Sequence, residues 1–255
     1  MGYKYKTNHT YFDKIDSEEK AYLLGLIYSD GTISPKDGNR QHRITIALQE
    51  EDGYIFDNFS ELTSKPPDYR YPPSYKKKGW KPQASFRVTS NNIGETLIKY
   101  GCNINKSRVG MDFPTKFIPE KYMNHFIRGF MDGDGSIIIK KRNYKYIRKT
   151  KHFLKNAHTE NKDYMLKLAF CSTDLEFLKE LGKILNVKLY IRSKLRKQMV
   201  YTAWIERKDE VQKVLKYIYK DATVYFKRKY NKIEEFNMLI KSPAIDTSIE
   251  GLETT

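Results

Sequence analysis

The spacing of apolar and polar positions divides this chain into two parts that run through a similar order of elements. In the first part it predicts helices at residues 17–28, 52–62 and 92–100, and strands at residues 44–48 and 85–89. In the second part it predicts helices at residues 119–131, 174–185, 210–219 and 226–240, and strands at residues 136–140, 166–170, 189–191 and 200–205.

The first helix has sequence signals at both ends. Asp16 is its predicted N-cap, and Glu19 three residues later completes a capping box. Gly31 is a suitable residue to follow the last turn. Further along, the prolines between residues 66 and 73 predict a loop.

The two parts also match residue by residue. Residues 21–33 (AYLLGLIYSDGTI) lie over residues 125–137 (HFIRGFMDGDGSI), with identities at Gly25/Gly129, Asp30/Asp134, Gly31/Gly135 and Ile33/Ile137. Residues 45–52 (TIALQEED) lie over residues 167–174 (KLAFCSTD), which places Cys171 opposite Gln49. By this alignment the second part carries an insertion of 18 residues, whose place is the basic segment 140–162.

The duplication predicts how the chain divides into domains. We expect an N-terminal repeat at residues 1–110, a connection at 111–119, a C-terminal repeat at 120–241 and a loose tail at 242–255. The connection contains Pro114 and Pro119, and the tail contains no Lys or Arg. Repeats of this size are each large enough to bury a core.

Charge and composition narrow the class of partner. The chain has 47 Lys and Arg against 31 Asp and Glu, a formal net charge of +16, which favours nucleic acid ahead of an acidic membrane. A basic protein without a polyanionic partner is the alternative that charge alone leaves open. No apolar run reaches the roughly 20 residues of a membrane span. The polar N-terminal stretch and two isolated cysteines, Cys102 and Cys171, indicate an intracellular protein that is not secreted.

Two aspartates stand in an unusual place, within the segment GFMDGDG at residues 129–135. They follow an apolar helix, where carboxylates face the negative end of the helix dipole at a cost of roughly 0.3 kcal/mol or more each. The pattern therefore indicates a positive partner beside them. An ordinary Asp-Gly turn explains a single copy but not two copies in register. A calcium loop is excluded, because Phe130 and Lys141 would occupy positions that require carboxylates.

These residues resemble a known signature. The nonapeptides at residues 23–31 (LLGLIYSDG) and 127–135 (IRGFMDGDG) are similar to the LAGLIDADG motif. From about residue 17 to about residue 240, the chain resembles the single-chain, two-repeat LAGLIDADG homing endonucleases. The resemblance implies an α+β fold of two pseudo-symmetric αββαββα repeats, whose antiparallel sheets form a DNA-binding saddle. It also implies that Gly25 and Gly129 lie where the two signature helices touch, since a missing side chain allows such close approach.

The resemblance further implies which residues hold metal. The last acid of each signature, Asp30 or Asp134, is the expected ligand, with the backbone carbonyls of Ser29 and Gly133 as neighbours. Tyr28 stands where the second copy has another acid, a position that is not the essential ligand in the family. Oxygen ligands suit Mg²⁺, and two or three divalent ions per active centre are expected. Mn²⁺ is the expected substitute, and Ca²⁺ is expected to bind without supporting cleavage.

Two further kinds of catalytic residue follow from the family's pattern. Gln49 matches a polar residue that lies on the strand below the metal, and the second repeat lacks it. A lysine near the last helix of each repeat is expected to stabilise phosphate charge. Lys106 fits this role in the first repeat, and Lys227 and Lys229, in YFKRKY, are both candidates in the second.

Basic, amide and aromatic residues alternate on the predicted strands and their loops. We expect Lys and Arg there to bind phosphates, and Arg and Gln on strands to contact base edges. Solvated surface charge is the alternative interpretation for each of them. The expected DNA contacts are Arg40, Gln41, Arg43, Arg70, Tyr75, Lys76, Lys78, Trp80, Gln83, Arg87, Lys140, Arg142, Tyr144, Arg148, Arg192, Lys194, Arg196, Gln198 and Arg207.

The implied function is site-specific, metal-dependent hydrolysis of double-stranded DNA by a monomer. The halves differ, so the expected target is long and nearly non-palindromic, about 20 bp read from the major groove. Such enzymes take part in intron homing, and this one is expected to be intron-encoded or free-standing. An RNA-binding intron maturase and a catalytically silent DNA-binding regulator are the alternatives on the same fold. The presence of both Asp30 and Asp134 favours the nuclease.

Overall fold

The computed structural model describes residues 5–35, 37, 41–70, 81–143 and 162–241, and these form two units with the same order of elements. The first unit contains α1 (Glu18–Asp30), β1 (Gly31–Ser34), β2 (Arg43–Gln49), a 3₁₀ helix (Glu50–Phe59), β3 (Asp68–Arg70), β4 (Gln83–Thr89), α2 (Asn91–Lys99) and α3 (Lys106–Val109). The second contains α4 (Glu120–Asp134), β5 (Gly135–Asn143), β6 (Lys162–Ser172), α5 (Leu175–Leu185), β7 (Tyr190–Leu195), β8 (Met199–Ile205), α6 (Lys208–Ile218) and α7 (Lys227–Lys241).

Each unit builds one four-stranded antiparallel sheet, with the strand order β1-β2-β4-β3 in the first and β5-β6-β8-β7 in the second. Strand β2 shows why the sheets have one covered face. Ile44, Ile46 and Leu48 are buried, whereas Arg43 and Gln49 on the opposite face are exposed. This alternation is typical of antiparallel sheets with one face packed on a core. The predicted α+β fold of two αββαββα repeats is confirmed.

Several predicted segments are not tested by the structure. The division at residues 111–119 stays a prediction. The tail at 242–255 and most of the insertion at 140–162 lie outside the described residues. Within the described part, no helix combines the length and apolar composition needed to cross a bilayer.

Local details differ from the sequence prediction at the first helix. Its N-cap is Ser17, not Asp16, because Ser17 has the extended backbone that directly precedes the helix and its Oγ accepts from Lys20 N at 3.3 Å. Asp16 instead accepts from Lys20 Nζ at 2.7 Å. The segment predicted as a helix at 52–62 is a 3₁₀ helix. Strand β3, in the region predicted as a loop, pairs with the start of β4.

The strand register also corrects the alignment of the two repeats. Gly31 pairs with Ile46, 15 residues later, whereas Gly135 pairs with Phe170, 35 residues later. If the two signature glycines are equivalent, the insertion is 20 residues long rather than 18. A shift of two residues leaves every side chain on the same face of its strand, so the hydrophobic pattern did not reveal it.

The two units meet along α1 and α4, whose backbones touch. A Cβ atom added to Gly25 would lie 2.0 Å from the carbonyl oxygen of Phe126, and one added to Gly129 would lie 2.1 Å from that of Tyr22. No rotamer relieves a clash between a Cβ atom and a backbone oxygen, so both positions require glycine. Every residue from 21 to 28 on α1 is buried. The pair of signature helices is therefore the centre of the fold.

A fully buried arginine ties these helices to the end of the second unit. Arg128 donates from Nη2 to Glu18 at 2.5 Å, from Nε to the carbonyl oxygen of Val224 at 2.8 Å and from Nη1 to that of Ile218 at 2.7 Å. Glu18 also accepts from the backbone N–H groups of Thr223 (2.7 Å) and Val224 (2.9 Å). The ion pair thus has the additional hydrogen bonds that a buried pair of charges requires.

Replacing Gly25 with alanine is expected to lower the free energy of unfolding by about 3 kcal/mol, since the new methyl group meets backbone atoms of Phe126. Urea unfolding followed by circular dichroism measures the change. Asn231→Ala, at an exposed site on α7, is the control and should change stability by less than about 0.5 kcal/mol. Equal stability of Gly25→Ala and the wild type would contradict the described helix contact.

Candidate active site

The carboxyl ends of α1 and α4 lie against each other. A Cβ atom added to Gly133 would lie 1.8 Å from Oγ of Ser29 and 2.2 Å from Oδ2 of Asp30. Glycine is therefore the residue that fits at position 133, directly before Asp134 in the chain. The arrangement brings the last acid of each signature to one place at the junction of the two units.

The surroundings of both carboxylates disfavour their negative charge. Burial, and after it the charge of Asp30, raises the pKa of Asp134 to about 6. The side chain of Asp134 is partly accessible to solvent. The raised pKa therefore comes from the many protein atoms around the carboxylate, not from complete enclosure. Burial also raises the pKa of Asp30, although a hydrogen bond from the adjacent serine and the charges of Lys106, Lys229 and Arg228 oppose this. Both acids also end a helix, where the dipole is negative.

Two lysines cover the carboxyl ends of the two helices in the same way. The ammonium group of Lys106 donates to the carbonyl oxygens of Ile27 (2.5 Å) and Gly31 (2.6 Å). The ammonium group of Lys229 donates to those of Met131 (2.6 Å), Asp132 (2.5 Å) and Gly135 (2.7 Å). Positive charge at a helix C-terminus stabilises the unpaired carbonyl groups there.

This geometry distinguishes Lys229 from Lys227. Lys229 is buried and repeats the contacts of Lys106, whereas Lys227 is exposed and its Nζ lies 4.9 Å from the ring centre of Tyr54. Burial lowers the pKa of Lys229 to about 8, and it lowers the pKa of Lys106 as well. Lys229 is thus the structural counterpart of Lys106.

Gln49 lies at the exposed end of β2, where its Oε1 accepts from Lys81 Nζ at 3.1 Å. Counted from the strand pairing of the signature glycines, its counterpart is Thr173. The alignment with Cys171 was therefore wrong by two residues. Cys171 instead lies with its Sγ 3.6 Å from Oγ1 of Thr202 on the neighbouring strand. The second repeat has no glutamine at either position.

The sixth position of each signature joins elements rather than facing the site. Asp132 is fully buried, and its Oδ2 accepts from Oη of Tyr22 at 2.7 Å and from the backbone N–H of Phe226 at 2.8 Å. Burial raises its pKa to about 6. In the first repeat, Tyr28 donates to the carbonyl oxygen of Tyr100 at 2.6 Å. Both side chains connect a signature helix to neighbouring segments.

The donor set at the helix ends suits a hard cation. Asp30 and Asp134 supply only oxygen atoms, the ligands that Mg²⁺ and Ca²⁺ prefer. Among the described residues, no group of three or more His, Cys, Asp or Glu side chains converges to hold a metal. The two carboxylates therefore leave most positions around an ion to backbone carbonyl groups, water or a bound phosphate.

Polar side chains form rows across the exposed faces of both sheets, because residues paired across antiparallel strands share a face. Rows of the first sheet are Arg70, Gln83 and Gln49, then Arg87, Thr45 and Thr32, then Thr89, Arg43 and Ser34. One row of the second sheet is Arg192, Thr202 and Cys171, and its face also carries Lys194 and Lys140. The structure thus brings Arg43, Arg70, Gln83 and Arg87 onto one face and Lys140, Arg192 and Lys194 onto the other.

The remaining expected DNA contacts are placed elsewhere. Gln41 is exposed just before β2, and Arg196 and Gln198 lie in the turn between β7 and β8. Arg207 stands outside the ladder, at the N-cap of α6, and pairs with Asp209 at 3.1 Å. Outside the described residues are Arg40, Tyr75, Lys76, Lys78, Trp80, Tyr144, Arg148 and the side chain of Arg142.

The sequence prediction missed a charged pair beside the site. Arg228, next to Lys229, donates from Nε to both carboxylate oxygens of the buried Asp52, at 3.0 and 2.8 Å. The strand register makes Glu176 the counterpart of Asp52, but the acid with a similar role in the second repeat is Asp174, two residues earlier. That acid accepts from the backbone N–H of Met111 at 2.9 Å. Asp52 therefore holds the segment that contains Lys229, and Asp174 holds the segment that follows Lys106.

Comparison with known proteins shows the fold and finds a family model that matches the second unit. A LAGLIDADG endonuclease family model matches residues 127–240. The structure is similar to the I-LtrWI LAGLIDADG homing endonuclease bound to target DNA, with 12% identity over 91% of this chain and 92% of that chain and a TM-score of 0.55. It is also similar to the LAGLIDADG meganuclease I-AabMI bound to uncleaved DNA, with 14% identity, 86% and 90% coverage and a TM-score of 0.54. No curated protein matches the chain.

Asp134→Asn is expected to stabilise the metal-free protein at pH 7 and to flatten its pH dependence between about pH 4 and pH 6. The folded-state pKa of about 6 lies above the ordinary 3.8, so the acid's contribution to stability is complete below pH 3.8 and is lost as pH rises through 6. Urea unfolding in a chelator at each pH measures it. Asp57→Asn, an exposed acid of the 3₁₀ helix, is the control. A variant profile parallel to that of the wild type would contradict the assigned environment.

Proposed function

We propose that this chain is a LAGLIDADG endonuclease and acts as a monomeric, site-specific DNA endonuclease. It would act inside the cell on a long, nearly non-palindromic duplex of about 20 bp and hydrolyse one phosphodiester in each strand. The observation that carries the proposal is the junction of the two helix ends. Asp30 and Asp134 lie there together, and each directly precedes the first strand of a sheet with a cationic face.

Structural relatives support DNA as the substrate. I-LtrWI was solved bound to target DNA and I-AabMI bound to uncleaved DNA. I-SmaMI, similar over 86% of this chain with 10% identity and a TM-score of 0.54, was solved on an uncleaved target in the presence of calcium ions. The formal charge of +16 agrees with a polyanionic substrate.

Asp30 and Asp134 are the residues that would hold divalent metal, with the backbone carbonyls of Ser29 and Gly133 beside them. When bound, Mg²⁺ would activate water, polarise the phosphate and stabilise the leaving oxygen. The protein's own contribution is to hold two carboxylates ready at a fixed separation. The helix contact through Gly25 does this, because it sets where both helices end.

The two lysines differ in what they can offer a phosphate. An ammonium group has three N–H donors. Lys229 uses three contacts with backbone carbonyl groups, whereas Lys106 uses two. We therefore assign Lys229 an electrostatic role at the helix end. Lys106 has one N–H donor that could bind a phosphate oxygen. Lys227 contacts Tyr54 and has no such place in the mechanism.

The exposed sheet faces would bind the duplex. A two-stranded ribbon fits the major groove, where each base pair presents a distinct pattern of donors and acceptors. Arg87 lies in the middle row of the first face, opposite Thr45, and is expected to contact a base or a phosphate. Gln83 and Arg70 lie in an adjoining row on the same face.

Asp134→Asn is expected to abolish double-strand cleavage while DNA binding is retained, because it removes a ligand charge without changing the shape of the side chain. A target is first selected by cleavage of a randomised DNA library with Mg²⁺. Gel-shift assays in Ca²⁺ then measure binding, and plasmid linearisation in Mg²⁺ measures cleavage.

Asp57→Asn removes the same kind of charge from an exposed position and should cleave as the wild type does. Cleavage by Asp134→Asn at the wild-type rate would contradict the metal assignment. If the wild type binds a structured intron RNA in preference to every duplex, the nuclease proposal itself is wrong.

DNA affinity is expected to fall steeply with salt, with a slope of log affinity against log salt of about −0.9 per phosphate neutralised. Arg192→Gln on the second sheet face should reduce that slope by about one contact. Lys179→Gln, on α5 where it pairs with Glu176, is the matched control and should leave the slope unchanged. Fluorescence anisotropy at several salt concentrations measures it. A flat dependence for the wild type would exclude the proposed DNA-binding faces.

A further inference from the structure

Arg228 was assigned no role from the sequence, although it is the neighbour of a lysine of the candidate site. It directly precedes Lys229, whose ammonium group covers the carboxyl end of α4. The side chain of Asp30 lies against Gly133 on that same helix end. The positive charge of Arg228 also opposes the upward shift in the pKa of Asp30. Arg228 therefore adjoins the helix end against which Asp30 lies.

The guanidinium group is fixed on one side and open on the other. Its Nε contacts both carboxylate oxygens of Asp52, at 3.0 and 2.8 Å, and its carbon lies 5.1 Å from the ring centre of Phe226. Asp52 is 3% exposed at its side chain, whereas Arg228 is 43% exposed. A guanidinium group has five N–H donors in a planar fork. With Nε held by a buried acid and 43% of the side chain exposed, the guanidinium group keeps N–H donors for a second partner.

Arg228 has no equivalent in the first repeat. The matching contacts of Lys106 and Lys229 make these lysines counterparts, so the residue before Lys106 corresponds to Arg228. That residue is Asn105, which has a left-handed backbone with φ of 57° and is uncharged. Only the second repeat therefore supplies a cation at this position.

We infer that Arg228 binds the DNA phosphate that is hydrolysed beside Asp30, and that Asp52 is the residue that positions it. The inference rests on the proposed nuclease function and deepens it. A planar fork is suited to two oxygen atoms of one phosphate, and a lysine cannot reproduce that geometry. The two strands of the target would consequently be cut by unequal centres, of which one depends on an arginine.

The fixation of Arg228 comes from the opposite unit of the chain. Asp52 belongs to the 3₁₀ helix of the first unit, and Arg228 to α7 of the second. Docking of the two units therefore places the phosphate-binding group at the same time as it brings the aspartates together. An arginine without that anchor would have to be ordered at the moment of binding, at an entropic cost.

The test measures the cleavage rate of each strand separately. The selected target is labelled at one 5′ end or the other, and single-turnover cleavage in Mg²⁺ is followed on denaturing gels. Arg228→Gln alone leaves a buried carboxylate unpaired, so the double variant Asp52→Asn/Arg228→Gln is made as well, in which neither charge remains. Lys232→Gln, which removes one charge from α7 where Lys232 pairs with Glu235, is the control.

We expect both Arg228 variants to cut one strand about 100-fold more slowly and the other strand at nearly the wild-type rate, so that nicked DNA accumulates. Arg228→Lys should fall between them and the wild type. Asp52→Asn should slow the same strand, and combining it with Arg228→Gln should add little, since both changes act through one group. Lys232→Gln should cut both strands at the wild-type rate.

Equal slowing of both strands would overturn the inference. A lowered melting temperature of the double variant with unchanged cleavage rates would also overturn it and would show that the pair only stabilises the fold. Unchanged rates on both strands would overturn it too. A wild-type protein that cuts no member of the library is a different result, because it refutes the proposed nuclease function and removes the basis of the inference. Cleavage by the wild-type protein thus distinguishes failure of the proposed nuclease function from failure of the inference about Arg228.

Discussion

The structure depends on one contact, the approach of two helix backbones where Gly25 and Gly129 lack side chains. Where ordinary side chains separate two packed helices, their axes lie roughly 8–10 Å apart. Removing both side chains at the crossing lets the carbonyl groups of one helix face the glycine of the other. Because each helix continues directly into the first strand of a sheet, this single crossing fixes the position of both sheets as well as both aspartates.

Bringing two acids to adjacent helix ends creates an electrostatic problem that the surrounding chain solves in part. Three cationic side chains reach the junction, and two of them are committed to backbone carbonyl groups that the helices leave unpaired. They soften the repulsion without cancelling it, since the pKa of Asp134 remains raised. A junction that is short of positive charge is suited to divalent cations, whose charge offsets both the carboxylates and the negative helix ends.

Much of this architecture was accessible from the sequence, because it is duplicated. The signature helices and six of the eight described strands follow from periodicity, whereas β1 and β3 were not predicted. The paired glycines and aspartates follow from the match between residues 21–33 and 125–137. Contacts between distant segments were not accessible. The bond between Asp52 and Arg228 joins residues that are 176 positions apart, and no local pattern encodes such a meeting. The strand register was missed for a different reason, because a slip of two residues preserves the alternation of apolar and polar positions.

The buried Arg128 limits how the two repeats can be combined. Its counterpart in the first repeat, 104 residues earlier, is Leu24, and its acidic partner Glu18 belongs to the other repeat. Two copies of the second repeat alone would bury two guanidinium groups near one axis without Glu18, and an uncompensated buried charge costs about 3–5 kcal/mol. A symmetric dimer of the second repeat would therefore lack the acid that Arg128 requires. The ion pair therefore makes the second repeat depend on the first for the stability of its own buried charge.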